Sequence, residues 1–187
     1  MRRLAMLGLF LLAFSVSGCS SNTSTSPPGK AAKPQTAVLD WKEPADDSAT
    51  TLVFGVGELR VTEAGWEADI SIENHTHARF EIPVASHSSE RAFGLMLFGD
   101  GSIKTLDDLS RRGKAPPVRD AQVTEPATPG VLMPGASWKG TISAPGALLA
   151  GAWARVSFGP LTAIDKPPSG IPKTTFTWIT DHAYQLR

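Results

Sequence analysis

Four histidines, His75, His77, His87 and His182, are the side chains of this sequence best suited to chemistry near neutral pH. His75-Thr76-His77 sets two imidazoles on one side of an extended chain. That spacing chelates copper or zinc once a third ligand arrives, His87 and His182 being the choices. Without a third ligand the same residues, flagged by Asn74, make a polar turn between strands. The expectation is therefore no cofactor, with copper or zinc as the alternative. A serine hydrolase built from Ser88 or Ser89, His182 and Asp181 or another acid is the second chemistry to weigh. Neighbouring residues of a strand point to opposite faces, which sets Asp181 badly for orienting His182. No Gly-x-Ser-x-Gly, Ser-x-x-Lys or His-Glu-x-x-His motif occurs, and catalysis is not expected. Arg111, Arg112, Lys114 and Arg119 form a basic cluster that suits a phosphate or an anionic lipid. Asp107, Asp108, Asp120 and Glu125 largely neutralise it, which favours a solvated loop. Trp66, Trp138, Trp153 and Trp178 offer faces on which a sugar could stack, but the alternating contexts of Trp66 and Trp138 place those two in a core.

The elements that must position these groups are strands. From about Thr50 onward, short apolar or alternating runs are separated by Gly, Pro, Asn and Asp. From Trp66 to Glu73 the alternation is complete, with Trp66, Ala68, Ile70 and Ile72 on one face and Glu67, Asp69, Ser71 and Glu73 on the other. Leu52–Val61 reads as the preceding strand of a hairpin, with Thr62–Gly65 as its turn. Arg79–Ile82, Ala92–Phe98, Ser137–Ser143, Ala152–Phe158 and Thr174–Thr180 supply the others. The sum is an all-β, antiparallel sandwich of about seven or eight strands. One short helix is expected over 105–113, with Thr105 as N-cap, Asp107 and Asp108 in the first turn and Gly113 at C′. It lies in a long inserted connection, Lys104–Gly130, which together with Asn74–Ala78 is the candidate contact surface.

The amino-terminal residues set a location. Arg2 and Arg3 precede an apolar run from Leu4 to Val16, the arrangement of a secretion signal and too short to span a bilayer stably. Val16-Ser17-Gly18-Cys19 then places an aliphatic residue and two small ones before the only cysteine of the chain. This motif resembles the lipobox of bacterial lipoproteins. The resemblance implies a signal peptide over 1–18, cleavage before Cys19, and acyl chains on Cys19 that anchor the protein to the cell membrane or the outer membrane. Two or more chains hold stably, because each buried methylene contributes about 0.8 kcal/mol. Residues 19–49, rich in Ser, Thr, Pro, Ala and Lys, read as a disordered tether to a domain over 50–187. Removing residues 1–18 leaves 16 bases against 18 acids, a formal charge of −2, which argues against nucleic acid as a partner.

The strand ending in Ile72-Glu73-Asn74, the strand near Phe80, the apolar run before Asp100-Gly101, and Val131-Leu132-Met133-Pro134-Gly135-Ala136-Ser137-Trp138-Lys139-Gly140 followed by Ile142-Ser143-Ala144-Pro145 add a second likeness. In that order they resemble the telokin-like, immunoglobulin-fold domains found on bacterial lipoproteins, which implies an immunoglobulin-like sandwich. The shared residues are turn and core positions, so the resemblance assigns no site. The sequence thus points to a non-catalytic binding or adaptor module at a membrane, meeting a protein or a cell-envelope component. Copper or zinc binding through His75 and His77, and hydrolysis, are the alternatives.

Overall fold

Period-two burial dominates the computed structural model, which describes residues 29–82, 93–173 and 175–187. The strands are β1 (Gln35–Pro44), β2 (Leu52–Val61), β3 (Gly65–Asn74), β4 (Phe80–Glu81), β5 (Phe93–Phe98), β6 (Arg119–Asp120), β7 (Val123–Glu125), β8 (Val131–Leu132), β9 (Ser137–Pro145), β10 (Trp153–Ala163), β11 (Phe176–Ile179) and β12 (Tyr184–Gln185). The helix α1 (Ile103–Arg111) follows β5. One sheet runs β1-β2-β3-β9-β7, and the second is built around β10, which pairs with β4, β5, β11 and β12. All pairings are antiparallel. The architecture is an all-β sandwich with one short helix.

The sheets close on the inward faces of these strands. Trp66, Ala68, Ile70 and Ile72 of β3 are all buried, as their alternation predicts. An aromatic chain links the sheets: Trp138 stacks on Phe93 (ring centroids 5.2 Å apart), Phe93 meets Phe158, Phe158 meets Phe54, and Phe54 stacks on Trp178. Such ring pairs add about 0.5–1.5 kcal/mol each beyond the area they bury.

Three sequence expectations need correction. The tether does not extend to residue 49, because Gln35–Pro44 forms β1 and pairs with β2 along its length. Its inward positions are Gln35, Ala37, Leu39, Trp41 and Glu43. Three are small or polar, so the run carries no apolar signature. The helix begins after Ser102, and Thr105 lies inside it. Asp100 fixes this start by accepting from Ser102 N–H and from Thr105 Oγ1. Asp107 and Asp108 consequently sit mid-helix, while Gly113 takes the left-handed C′ position at φ 63°. Finally, the Lys104–Gly130 connection is not irregular throughout. It lays α1 against Met96 and Phe98, pairs β6 with β5, then crosses to pair β7 with β9.

Candidate functional site

Two features of the folded chain have the chemistry of a site. The first is a carboxylate and imidazole at the seam where β1 meets the carboxy-terminal strands. Glu43 is buried, its side chain 6% exposed, and its oxygens accept four hydrogen bonds. Oε1 takes His182 N–H (2.9 Å) and His182 Nδ1 (2.7 Å), and Oε2 takes Asp181 N–H (2.7 Å) and Trp178 Nε1 (3.3 Å). Trp41 stacks on the imidazole with ring centroids 5.5 Å apart. The His182 side chain itself is 60% exposed. With Nδ1–H given to Glu43, the Nε2 lone pair is available to an incoming group, the orientation of a general base or a metal ligand.

Behind this pair lies Arg155, fully buried on β10. Its Nη1 donates to Thr180 O (2.7 Å) and to Asp181 O, and its Nη2 to Gly101 O (2.9 Å). Phe98 covers it, the guanidinium carbon 5.5 Å from the ring centre. Burial lowers the Arg155 pKa and raises that of Asp181, which nearby Glu43 raises further. Arg155 thus ties the start of the α1 segment to the carboxy-terminal loop that Glu43 also holds.

The second feature is a groove of about 510 Å³ on the outward face of the five-stranded sheet, lined by residues of β2, β3, β7 and β9. Gly57 and Gly140 are among its lining, with Asp69, Lys139 and Glu125 beside them. Asp69 is held by both Nη atoms of Arg60 (3.0 Å each) and by Thr141 Oγ1 (2.7 Å). Arg60 also reaches Glu58 and Glu67. These bonds depress the Asp69 pKa, the Arg60 contact foremost, and fix the carboxylate as an anionic wall. Lys139 and Glu125 are exposed and form no ion pair among the described residues.

Gly57 lies in the irregularity of β2 between Val56 and Leu59, where the register against β3 shifts, and such a bulge is a place where a strand takes glycine. Glycine inside a strand weakens it and needs a reason. Positive φ does not supply it, for Gly57 is not among the glycines with positive φ. Crowding does not either, because a Cβ here meets nothing closer than Asp69 Cβ at 3.7 Å. At Gly55, by contrast, a Cβ would collide with Ser71 Oγ.

The sequence-derived candidates separate as follows. His75 and His77 are both exposed, and His75 Nε2 lies 3.1 Å from Glu73. Among the described residues no three His, Cys, Asp or Glu side chains gather to hold a metal. The turn between them is built by Asn74 and Thr76, both buried. Asn74 Nδ2 donates to Ala78 O and Leu132 O, while its Oδ1 accepts from Thr76 N–H and Thr76 Oγ1. His87, Ser88, Ser89 and Cys19 lie outside the described residues. His182 has an orienting acid, but that acid is Glu43 from β1 rather than Asp181. Arg111 pairs with Asp108, Arg119 Nη1 donates to Ala147 O, and Arg112 and Lys114 are exposed, so these four do not converge on one point. Trp66 and Trp138 are core residues, Trp153 and Trp178 half-buried. Sequence reasoning missed Glu43 and Gly57. For Gly57 the signal was available, since Gly55 and Gly57 interrupt a run that otherwise reads as a strand. For Glu43 there was none, because nothing local marks an acid as inward.

Comparison with known proteins finds no family, no curated protein and no solved structure that matches this chain.

Proposed function

We propose that the protein is an extracytoplasmic lipoprotein, anchored through acyl chains on Cys19, whose sandwich is a non-catalytic binding module. Its ligand is a polar segment of a protein or cell-envelope partner, taken into the groove over β2, β3, β7 and β9. The observation that carries the reading is the groove itself, walled by an Asp69 carboxylate that Arg60 and Thr141 hold fixed and by exposed Lys139 and Glu125. Fixed Asp69, with Lys139 and Glu125 unpaired among the described residues, gives the groove charged groups for polar recognition. Among the described residues no helix is long and apolar enough to cross a membrane, and the lipid on Cys19 would supply the attachment.

The test pairs stability with capture. Gly57→Val meets only ordinary contacts at the β2 irregularity and is expected to change unfolding stability by less than about 1 kcal/mol, while its side chain fills the groove. A photo-crosslinker placed at Lys139 in the membrane-bound protein should give a defined adduct that Gly57→Val abolishes. An adduct that persists unchanged in that variant would remove the groove from consideration.

Hydrolysis is a second reading, favoured by one observation, the Glu43-oriented imidazole of His182. It needs Ser88 or Ser89 as nucleophile. Turnover in an esterase and peptidase panel that disappears in His182→Ala supports it, and a flat panel ends it.

A further inference from the structure

The correction to the tether changes what the anchored end of the domain can reach. Only residues 20–28 now separate Cys19 from Gly29, the first described residue. Nine residues cannot reach further than about 30 Å. Whatever surrounds Gly29 is therefore held close to the lipid that Cys19 carries.

What surrounds it is positive. The loop over 147–151 is the hub: Ala32 N–H donates to Leu148 O and Ala150 N–H to Lys30 O, both at 2.8 Å. Gly151 N–H donates to Leu186 O (2.8 Å), and Lys33 N–H to Arg187 O (2.7 Å). Arg119 Nη1 reaches the same loop at Ala147 O (3.1 Å). Lys30, Lys33, Arg119 and Arg187 are all exposed, and none forms an ion pair among the described residues. Two acids border these segments: Glu63, on the turn whose Ala64 O accepts Gly146 N–H, and Asp120, next to Arg119. They leave the patch positive on a chain whose mature form is net negative. Leu149, on the hub loop, is 41% exposed.

We propose that this end is a docking surface for an anionic phospholipid bilayer, with Lys30, Lys33, Arg119 and Arg187 against the headgroups and Leu149 inserted among them. A basic residue close to such a surface strengthens binding about fivefold at low salt. The attraction fades over about 8 Å at physiological ionic strength, so it acts only on a domain kept near the membrane. The short reach rests on the lipid-anchor reading; the charge patch stands without it.

The test uses the mature chain with Cys19→Ser, so that no acyl chain contributes. At low salt it should float with vesicles of equal phosphatidylcholine and phosphatidylglycerol and not with pure phosphatidylcholine. The triple variant Lys30→Gln, Lys33→Gln, Arg187→Gln should bind at least about tenfold more weakly. Lys42→Gln, Lys166→Gln, Lys173→Gln, with the same loss of charge on another part of the molecule, should bind like the parent. Exchanging Lys30 and Lys33 for Arg and Arg187 for Lys should restore binding, which separates charge from folding. A bimane on Leu149→Cys should be quenched by headgroup-labelled lipid. Binding indifferent to vesicle charge, or equal loss in both triple variants, overturns the proposal. So does polyphosphate binding as tight as vesicle binding with the bimane unquenched, the result for a soluble polyanion. An unmodified Cys19 in mass spectrometry of the native protein would fail the anchor reading and leave these vesicle results intact.

Discussion

Glu43 accepts four hydrogen bonds from a position almost without solvent, and each donor belongs to the carboxy-terminal segment. A buried carboxylate so satisfied is a fastener as well as an orienter, since two of its donors are backbone N–H groups that have no other partner among the described residues. Glu43→Gln keeps the volume but replaces one acceptor oxygen with an amide that faces donors. Such a change at a charged, buried acceptor costs about 2–4 kcal/mol. Denaturant unfolding of the variant should show that loss, with a cooperative transition retained. A change under about 0.5 kcal/mol would mean the segment is held by its strand pairing alone. His182 was readable in the sequence as a candidate base, because histidine is the natural one. Its partner was not, because Glu43 and His182 are 139 positions apart and are brought together only by the fold.

At the scale of elements, short-range chemistry was the legible part. The β3 alternation, the Thr62–Gly65 turn and Gly113 as helix terminator are each set by residues within a few positions of one another, and the structure bears them out. The His75–His77 segment shows how the same local reading misjudges a role. Its four residues 74–77 alternate between buried and exposed, and the buried pair, Asn74 and Thr76, makes every internal bond of the turn. The histidines are what remains outside. Asn74→Ala should therefore cost about 2–3 kcal/mol by stranding the Thr76 N–H and taking a donor from Leu132 O, while the Thr76 hydroxyl and Ala78 O keep each other. The His75→Ala, His77→Ala double variant should stay within about 0.5 kcal/mol of the parent. Calorimetry of the two proteins checks the contrast, and a destabilised double variant would show that the imidazoles pack more than their exposure implies.

For the whole molecule the decisive strand is the one least visible in the sequence. β1 sits at the edge of its sheet, with its bulge between Val38 and Trp41 and Asp40 in the left-handed region at φ 48°, a device that blunts an edge against further pairing. Its inward side carries Leu39, Trp41 and Glu43 onto the core and the carboxy-terminal strands, and Gln35 Oε1 accepts from Tyr184 OH and Arg187 N–H. A chain beginning at Thr50, where composition alone would start the domain, loses all of this. It leaves β2 without its outer partner, strands the N–H groups of Asp181 and His182, and uncovers the apolar faces that Leu39 and Trp41 shield. Those losses together rival the roughly 5–15 kcal/mol that holds a domain of this kind folded. A chain beginning at Gly29 should unfold in one cooperative transition with a strong near-ultraviolet dichroism from its stacked tryptophans. The chain beginning at Thr50 should show neither. If both melt at the same temperature, the seam between β1 and the carboxy-terminal strands is ornament, and residues 29–49 return to being a linker.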